Sequence, residues 1–392
     1  MKTIYFIAIS IFLLSNCNTN NHYDKGKEFT ILEDSITTAF SALNFETNES
    51  CKECHPIIYE EFTTSMHYKS TVFRDPIHNA VWEDHPNYKD KSQYKCAQCH
   101  IPGADNIAEF MNKGGQAMPD KTNDSQNEGV SCASCHKIKS IEKHRQANRN
   151  IYNRTDEQYY GIGEQLSIAH LTNSKNEMYR TGEMCMGCHS HRENIENYIV
   201  CITEDQTKGK SYETCITCHM PQTDGPSSTN ATRKKHFYHG FAGVHNDQDM
   251  LAKHVEFSVE KLSKNEFKFR IKNKSPHDLF PHPLRRSFLK MSIIREGKKI
   301  HDFETMAMER VMENNDGTAG CTLATKETKS NIIKGDKTSV LQFKFELKAN
   351  DKFEVEYGYH LVKAEMLKEL GLENNKEASE YKIFKKEQIL IE

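Results

Sequence analysis

The pentapeptide Cys-x-x-Cys-His occurs five times in this chain, and no other feature constrains the fold as strongly. The five copies are Cys51/Cys54/His55, Cys96/Cys99/His100, Cys132/Cys135/His136, Cys185/Cys188/His189 and Cys215/Cys218/His219. With 13 Cys and 20 His in 392 residues, random placement would give roughly 0.02 such motifs. Two thiols at this spacing bond the two vinyl groups of one porphyrin, and the next residue offers its imidazole to the iron. The sequence therefore predicts five covalently bound c-type haems, with these ten Cys as attachment sites and these five His as iron ligands.

Zinc is the alternative cofactor for paired Cys-x-x-Cys motifs, because such pairs also build zinc ribbons. A zinc site does not require a His directly after every second Cys, so the pattern favours haem. Composition agrees with haem, since hydrophobic residues make up only 36% of the chain. Buried porphyrins would supply the apolar surface that the side chains lack.

The first residues predict export. Lys2 precedes the apolar run Ile4 to Leu14, which is too short to span a bilayer and is typical of a secretory signal. Leu13-Leu14-Ser15-Asn16-Cys17 resembles a bacterial lipobox, so residues 1–16 are predicted to be a lipoprotein signal, with Cys17 lipidated and 17–46 a tether. A cleaved signal without lipidation is the alternative. We expect an exported protein at the periplasm or the outer membrane surface, held by its lipid anchor.

Charge indicates which partners to expect. The formal net charge is −3, and the propionates of five haems would add up to roughly ten negative charges. The sequence shows no basic stripe for nucleic acid. Redox partner proteins, such as dehydrogenases, reductases or other cytochromes, are the expected partners, together with the membrane.

The sequence predicts an α+β protein with two domains. Residues 47–246 carry the motifs and favour helices and loops, with Pro56 opening a helix after the first motif. From residue 250 to 392 the hydrophobic pattern has a period of two and predicts five strands. They are at Val255/Phe257/Val259, Phe267/Phe269/Ile271, Phe288 to Ile294, Leu341/Phe343/Phe345/Leu347 and Phe353/Val355/Tyr357/Tyr359/Leu361. This pattern predicts an antiparallel β-sandwich. A short helix is predicted for Lys363 to Leu370, closed by Gly371.

Each haem of an electron carrier needs a second axial ligand, and the remaining His residues are the candidates. We predict His67, His170, His239 and His277, with His236 and His245 as alternatives to His239. Along a continuous helix His67 would lie roughly 18 Å from His55, so it should serve a different haem. Candidates for the fifth distal ligand are His78, His85, His144 and His191.

Cys201 and Cys321 are left over once the motifs and Cys17 are assigned. In an oxidising compartment they would pair and link the two domains. Two separate buried thiols are the alternative, and sequence spacing does not decide between them.

Several segments resemble multihaem cytochromes c of the cytochrome c-554 family. They are Cys51-Lys-Glu-Cys-His-Pro with the following Ser65-Met66-His67, Gly129-Val-Ser-Cys-Ala-Ser-Cys-His136, and Cys215-Ile-Thr-Cys-His-Met-Pro221. The resemblance implies that His67 is an axial ligand. The second part looks like the sandwich domain that follows haem domains in other exported polyhaem proteins, where a loop brings a His to a haem. That likeness implies the same role for His277 in Ser275-Pro-His-Asp-Leu-Phe-Pro-His282.

The leading functional hypothesis is an electron carrier in which five haems pass single electrons between redox partners of a bacterial respiratory chain. The alternative is a multihaem reductase or oxidase of small nitrogen or sulfur compounds, acting at a haem with an open coordination position. A Cys-x-x-Cys-Lys catalytic motif does not occur in the chain. No catalytic residue is predicted, and the sequence leaves open whether the protein is an enzyme. A third hypothesis makes the sandwich an adhesion or docking module.

Overall fold

The computed structural model describes residues 45–112, 114–154, 158–163, 169–203, 213–318 and 320–391. The predicted signal, Cys17 and nearly all of the tether lie outside the described residues. In the described part, the chain has a first region of short helices and small sheets and a second region of long antiparallel strands. No helix in this part is long and apolar enough to cross a bilayer.

The first region contains all five motifs, and its helices are short. Their bounds are Asn48–Lys52, Pro56–Thr64, Pro76–Asp84, Pro86–Lys89, Ala97–His100, Ile107–Met111, Asp124–Asn127, Cys132–His136, Met178–Thr181 and Glu213–His219, with a 3₁₀ helix at Glu183–Gly187. Helix Gln248–Ala252 leads into the second region.

Proline begins three of these helices, because its fixed φ suits a first helical position, where no amide donor is needed. The predicted helix after the first motif begins at Pro56 and ends at Thr64. Its last turn is closed by the Ser65 amide, which donates to the Phe62 carbonyl at 2.9 Å. His67 therefore lies beyond the helix end, on a turn that directs it away from the first motif.

Four two-stranded sheets lie among the helices, and the sequence prediction of helices and loops did not include them. The strands are β1 (Ile138–Glu142), β2 (Arg149–Tyr152), β3 (Gln158–Tyr160), β4 (Leu171–Asn173), β5 (His191–Glu193), β6 (Ile199–Ile202), β7 (Gln222–Asp224) and β8 (Lys235–Phe237). The β3–β4 pair is parallel and the other three pairs are antiparallel. Strands of three to five residues are too short to show a period of two in the sequence.

The second region is the predicted antiparallel sandwich. Its strands are β9 (Val255–Ser263), β10 (Glu266–Asn273), β11 (Arg286–Arg295), β12 (Lys298–Asp302), β13 (Met306–Asn314), β14 (Gly317–Thr318), β15 (Lys326–Ser330), β16 (Thr338–Lys344), β17 (Lys352–His360) and β18 (Lys382–Leu390). One sheet has the order β16-β10-β9, and the other has the order β14-β13-β11-β17-β18, with β12 paired to β11 and β15 to β13. The fold class is therefore confirmed as α+β. The residue bounds 47–246 and 250–392 for the two domains stay predictions.

The core of the sandwich follows from the alternating pattern. In β10 alternate residues are buried, so Phe267, Phe269 and Ile271 face inward. Phe353 of β17 lies against Phe267 and Phe269, with ring centroids 5.3 and 5.4 Å apart. Aromatic packing of this kind adds to the free energy gained by burying apolar surface. The predicted terminal helix is also present, at Ala364–Glu369, with Gly371 at a φ of +64°.

The two regions pack against each other. Ile77 and Ala80, on helix Pro76–Asp84, belong to the same apolar cluster as the sandwich core. Arg310 of β13 donates its Nη1 hydrogen to the Val200 carbonyl of β6 at 3.1 Å. The sandwich is thus held on the motif-bearing region by apolar packing and by hydrogen bonds.

Phe353→Ala should destabilise the sandwich by about 3–5 kcal/mol, because the change leaves a cavity among aromatic rings. Phe353 is 0% exposed, whereas Val340 on β16 is 45% exposed and provides the matched control. Val340→Ala should change the free energy of unfolding by less than about 0.5 kcal/mol. Far-ultraviolet circular dichroism during urea unfolding measures both, and equal values for the two variants would contradict this core assignment.

Candidate haem sites

Each motif places its Cys and His on one short helical turn. The His55 amide donates to the Cys51 carbonyl at 2.9 Å, and the corresponding distances are 3.0 Å for His100 to Cys96 and 2.8 Å for His189 to Cys185. This i to i−4 hydrogen bond puts the first Cys and the His on the same face of the turn. One face of each motif can therefore offer both the thiols and the imidazole to the same group.

Backbone carbonyls orient four of the five motif imidazoles. The Nδ1 contacts are His55 to Ser227 O at 2.6 Å, His100 to Ser70 O at 3.0 Å, His136 to Tyr160 O at 2.7 Å and His219 to Ala242 O at 2.6 Å. A ring that donates from Nδ1 keeps its Nε2 lone pair for a metal, as in most His ligands. Sequence reasoning missed these positioning residues, because any residue type can supply a carbonyl and no signal marks them.

Four motif His residues face a second His across a gap of similar width. The ring centroids lie 6.3 Å apart for His55 and His170, 6.4 Å for His136 and His239, 6.1 Å for His219 and His277, and 6.0 Å for His189 and His67. Two imidazoles that bind one iron, with each nitrogen about 2 Å from it, have centroids roughly 6 Å apart. These four pairs therefore have the spacing that a six-coordinate haem iron requires.

All four predicted distal His residues take part in these pairs. Their function as ligands stays a prediction, which the geometry of the imidazole pairs supports. The two alternatives to His239 have other partners in the structure: His236 Nε2 lies 3.1 Å from Glu61 Oε1, and His245 Nδ1 lies 2.8 Å from Glu377 Oε1.

Burial favours the neutral form of several of the paired imidazoles. It lowers the pKa of His67 and of His239 to about 3 and that of His219 to about 4. A neutral imidazole has a lone pair for a metal, whereas a protonated one has none. The buried Nδ1 of His67 also has no hydrogen-bond partner among the described residues. Burying a polar atom without a hydrogen bond costs free energy, unless a bound group contacts the atom or its imidazole ring.

His100 differs from the other motif His residues. The His nearest to it is His78, whose ring centroid is only 3.9 Å away. Both rings contact the same Ser70 carbonyl through Nδ1, at 3.0 Å for His100 and 2.8 Å for His78, and His78 Nε2 lies 3.3 Å from the Tyr94 hydroxyl. In a pair that binds one iron through Nε2, the two Nδ1 atoms would lie at opposite ends, roughly 8 Å apart. His78 is therefore a neighbour of His100 on the same side, and this arrangement does not fit it as the distal ligand.

The other three candidates for a fifth distal ligand contact protein groups. His85 begins helix Pro86–Lys89, where its Nδ1 accepts from the Asn87 amide at 3.0 Å. His191 Nε2 lies 2.9 Å from the His144 carbonyl, and His144 Nε2 lies 3.1 Å from Arg149 Nη2. Among the described residues, none of these three His residues faces a motif His at the spacing of the four imidazole pairs.

The motifs are neighbours of one another. Three pairs of thiols from different motifs lie close enough to shift each other's pKa, namely Cys51 with Cys132, Cys99 with Cys188, and Cys185 with Cys215. Cys135 also lies close enough to Cys188 to raise the pKa of that thiol further, after the larger effects of its hydrogen bond with Cys99, burial and Cys99 itself. The fourth motif is therefore central, with the second, third and fifth motifs around it and the first next to the third.

Cys54 follows Cys51 by three residues in the first motif. The motif predicts Cys54 as an attachment site equal to Cys51, but among the described residues its recorded contact is made by its backbone. It lies on the turn after helix Asn48–Lys52, where its carbonyl accepts from the Thr229 amide at 2.9 Å. The role of Cys54 in haem attachment therefore rests on the motif spacing and stays a prediction.

His277→Met should raise the reduction potential of one haem by on the order of 0.1 V, because a thioether ligand favours ferrous iron. The matched control is His301→Met, since His301 stacks on Phe345 of the sandwich at 4.7 Å and faces no motif. Its titration should overlay that of the wild type. Spectroelectrochemical titration of the holoprotein measures both, and an unchanged potential in His277→Met would remove His277 from the ligand set.

The comparisons with known proteins agree with the type of motif and with the fold. Residues 50–137, which contain the first three motifs, match the family model described as cytochrome c554 and c-prime. A penta-haem cytochrome c552 from Thermochromatium tepidum is 21% identical, with a TM-score of 0.69 over 88% of this chain and 99% of that chain. At this identity the likeness shows the fold.

Two further comparisons add little. A superoxide reductase (neelaredoxin) from Archaeoglobus fulgidus, 11% identical, covers 35% of this chain and 89% of its own, with a TM-score of only 0.20. No curated protein matches the chain.

The motifs, the paired imidazoles and these similarities lead to one identification. Residues 50–137 match the family model of cytochrome c554 and c-prime, and the chain has the fold of a penta-haem cytochrome c552.

Proposed function

We propose that this protein is an exported pentahaem c-type cytochrome that carries single electrons between redox partner proteins of a bacterial respiratory chain. The observation that carries the proposal is the set of four imidazole pairs, each with centroids 6.0–6.4 Å apart. Two imidazoles on one iron leave no position for a substrate, which suits electron transfer better than catalysis. When bound, haem iron supplies a one-electron couple whose potential depends on its axial ligands.

The contribution of the polypeptide is to position these ligands. The Ser227, Tyr160 and Ala242 carbonyls fix three motif imidazoles through Nδ1 at 2.6–2.7 Å. The Phe237 carbonyl does the same for His239 at 2.6 Å. Rings held in this way need little rearrangement between oxidation states, and a small reorganisation favours fast electron transfer.

The arrangement of the motifs supports conduction across the protein. The thiol contacts between Cys51 and Cys132, Cys99 and Cys188, and Cys185 and Cys215 join the motifs into one connected group. Groups attached at these thiols would be neighbours, so an electron that enters at the first motif could leave at the second or the fifth.

A second candidate function is supported by one observation. Among the described residues, no His faces His100 at the spacing of the other four pairs, so the second motif is the place for a haem with an open position. Burial lowers the pKa of His100 to about 3, and Arg192 contributes a smaller lowering, which places its positive charge near that ring. Arg192 also lowers the pKa of the nearby Lys95, where burial is the larger cause. Arg192 and Lys95 would attract a small anion such as nitrite or sulfite, and the nearby negative charge of Asp75 would oppose them.

Export and lipid anchoring are part of the proposal. They rest on Lys2, on the apolar run Ile4 to Leu14 and on the lipobox-like residues before Cys17. A lipid anchor would hold the cytochrome next to dehydrogenases or reductases of the same membrane.

The reoxidation of the reduced holoprotein separates the two candidate functions. As a carrier, the protein should give up its electrons to an oxidised c-type cytochrome within seconds, and nitrite, hydroxylamine or sulfite should leave it reduced. Stopped-flow absorbance under anaerobic conditions follows both reactions. Repeated turnover with one of these compounds, without an added cytochrome, would refute the pure carrier function.

The same assay includes a charge test for the second motif. If turnover occurs there, Arg192→Ala should lower it at least tenfold, because the variant loses a charge-assisted contact. Arg270→Ala, on β10 of the sandwich, where Arg270 pairs with Glu260, is the matched control and should retain full turnover. Equal rates in the two variants would exclude Arg192 from anion binding.

Lipidation has its own test. Mass spectrometry of the mature N-terminus should find a peptide that begins at Cys17 and carries two or three acyl chains. A Cys17→Ser variant should then appear in the soluble exported fraction. An unmodified Cys17 in the wild-type protein would contradict the anchor.

A further inference from the structure

Two cysteines outside the haem motifs come from different regions of the chain and meet at one contact. Cys201 lies on β6, in the hairpin with β5, and Cys321 follows β14 in the sandwich. Asn194 of the hairpin loop donates from Nδ2 to the Cys321 and Ala324 carbonyls, each at 2.8 Å. The Arg310 guanidinium reaches back from β13 to the Val200 carbonyl at 3.1 Å. The hydrogen bonds on both sides of the cysteines fix the position of the hairpin on the sandwich.

The two side chains share one small apolar cluster. Cys201 and Cys321 both pack against the buried Val200, Met312 and Ala324. Both are free thiols in the structure, and each is half-buried. The contact therefore brings two thiols from opposite sides of the domain junction into one cluster.

The pKa of a thiol controls its reactivity, and this distinguishes a structural pair of cysteines from a catalytic pair. Burial raises the pKa of the Cys321 thiol to about 12, and the nearby Cys201 raises it further. Burial also raises the pKa of Cys201. A catalytic or redox-exchanging dithiol needs a thiol whose pKa is lowered, so the folded pair is a poor nucleophile. This environment suits a bond that forms while the chain folds and is then protected.

Once the other cysteines are assigned, Cys201 and Cys321 are the two that remain to pair with each other. Of the 13 cysteines in the chain, ten belong to the motifs and one is Cys17. A chain that is exported and matured in an oxidising compartment seldom keeps two neighbouring thiols reduced.

We propose that Cys201 and Cys321 form a disulfide that links the sandwich to the motif-bearing region. The two thiols lose two protons and two electrons, and an S–S bond forms between their sulfur atoms. The electrons pass to the disulfide of a thiol–disulfide exchange protein, which leaves as a dithiol. The bond requires the export stated under the proposed function, but it does not depend on whether the protein is a carrier or an enzyme.

The link has a consequence for the fifth motif. His277 belongs to the sandwich, and its ring faces His219 of the motif-bearing region at 6.1 Å. A covalent link between the same two regions limits how far His277 can move from His219. The disulfide also closes a loop of about 120 residues, which removes much conformational freedom from the unfolded chain.

The test is peptide mapping of the holoprotein isolated from the exported fraction and alkylated without reductant. The expected result is one linked peptide containing Cys201 and Cys321, two hydrogen masses lighter than the sum of its dithiol peptides. In Cys201→Ser, the Cys321 thiol should become alkylated, and the converse should hold for Cys321→Ser. Alkylation of both thiols in the unreduced wild-type protein would overturn the proposal.

Thermal unfolding provides a second measurement that does not depend on mapping. A disulfide reductant should lower the unfolding midpoint of the wild-type holoprotein by about 5 °C or more. The double variant Cys201→Ser/Cys321→Ser is the matched control, since it retains the haem thioethers and corrects for reduction of the iron. An equal shift in both proteins would count against the disulfide. The haem absorbance of the double variant shows whether it has folded.

Discussion

The structure depends on the pairing of imidazoles across a gap of about 6 Å. Each pair joins residues that are far apart in the chain, such as His55 with His170 and His67 with His189. The described residues of the motif-bearing region form short helices, small sheets and small apolar clusters. A group bound between two imidazoles would add a connection between distant segments, so haem attachment and folding should be coupled in this region.

The sandwich is part of the site as well as an appended domain. It has its own aromatic core around Phe267 and Phe353, so it can hold a loop in a fixed position. That loop carries His277, which the Asp278 carbonyl contacts through Nδ1 at 3.0 Å. The core of the sandwich thus determines the position of one imidazole at the fifth motif, and the contacts at Val200, Asn194 and Ile77 keep the two regions in register.

The parts of the fold that the sequence could predict are those with local signals. The motifs define the attachment sites directly, the period of two predicted β10 and β17, and Pro56 predicted the start of its helix. The strands β13 and β18 were missed, because charged residues such as Glu309, Arg310 and Lys385 interrupt their apolar pattern. Those charges are satisfied by tertiary partners: Glu309 is paired with Arg286, Lys329 and Lys363.

The same contrast between local signals and long-range packing applies to the candidate haem sites. Sequence could name His67, His170, His239 and His277 as candidates, because the haems of an electron carrier need second axial ligands and His residues outside the motifs can supply them. It could not assign them to motifs, since that assignment depends on long-range packing. It also could not show that His78 shares the Ser70 carbonyl with His100, which makes the second motif different from the rest.

The electron paramagnetic resonance spectrum of the oxidised holoprotein tests the central claim most directly, because it distinguishes six-coordinate low-spin iron from iron with an open position. With four imidazole pairs, we expect low-spin signals that integrate to four haems per chain, and a different signal from the haem at His100. High-spin signals from two or more haems per chain would contradict the paired imidazoles as the basis of this structure.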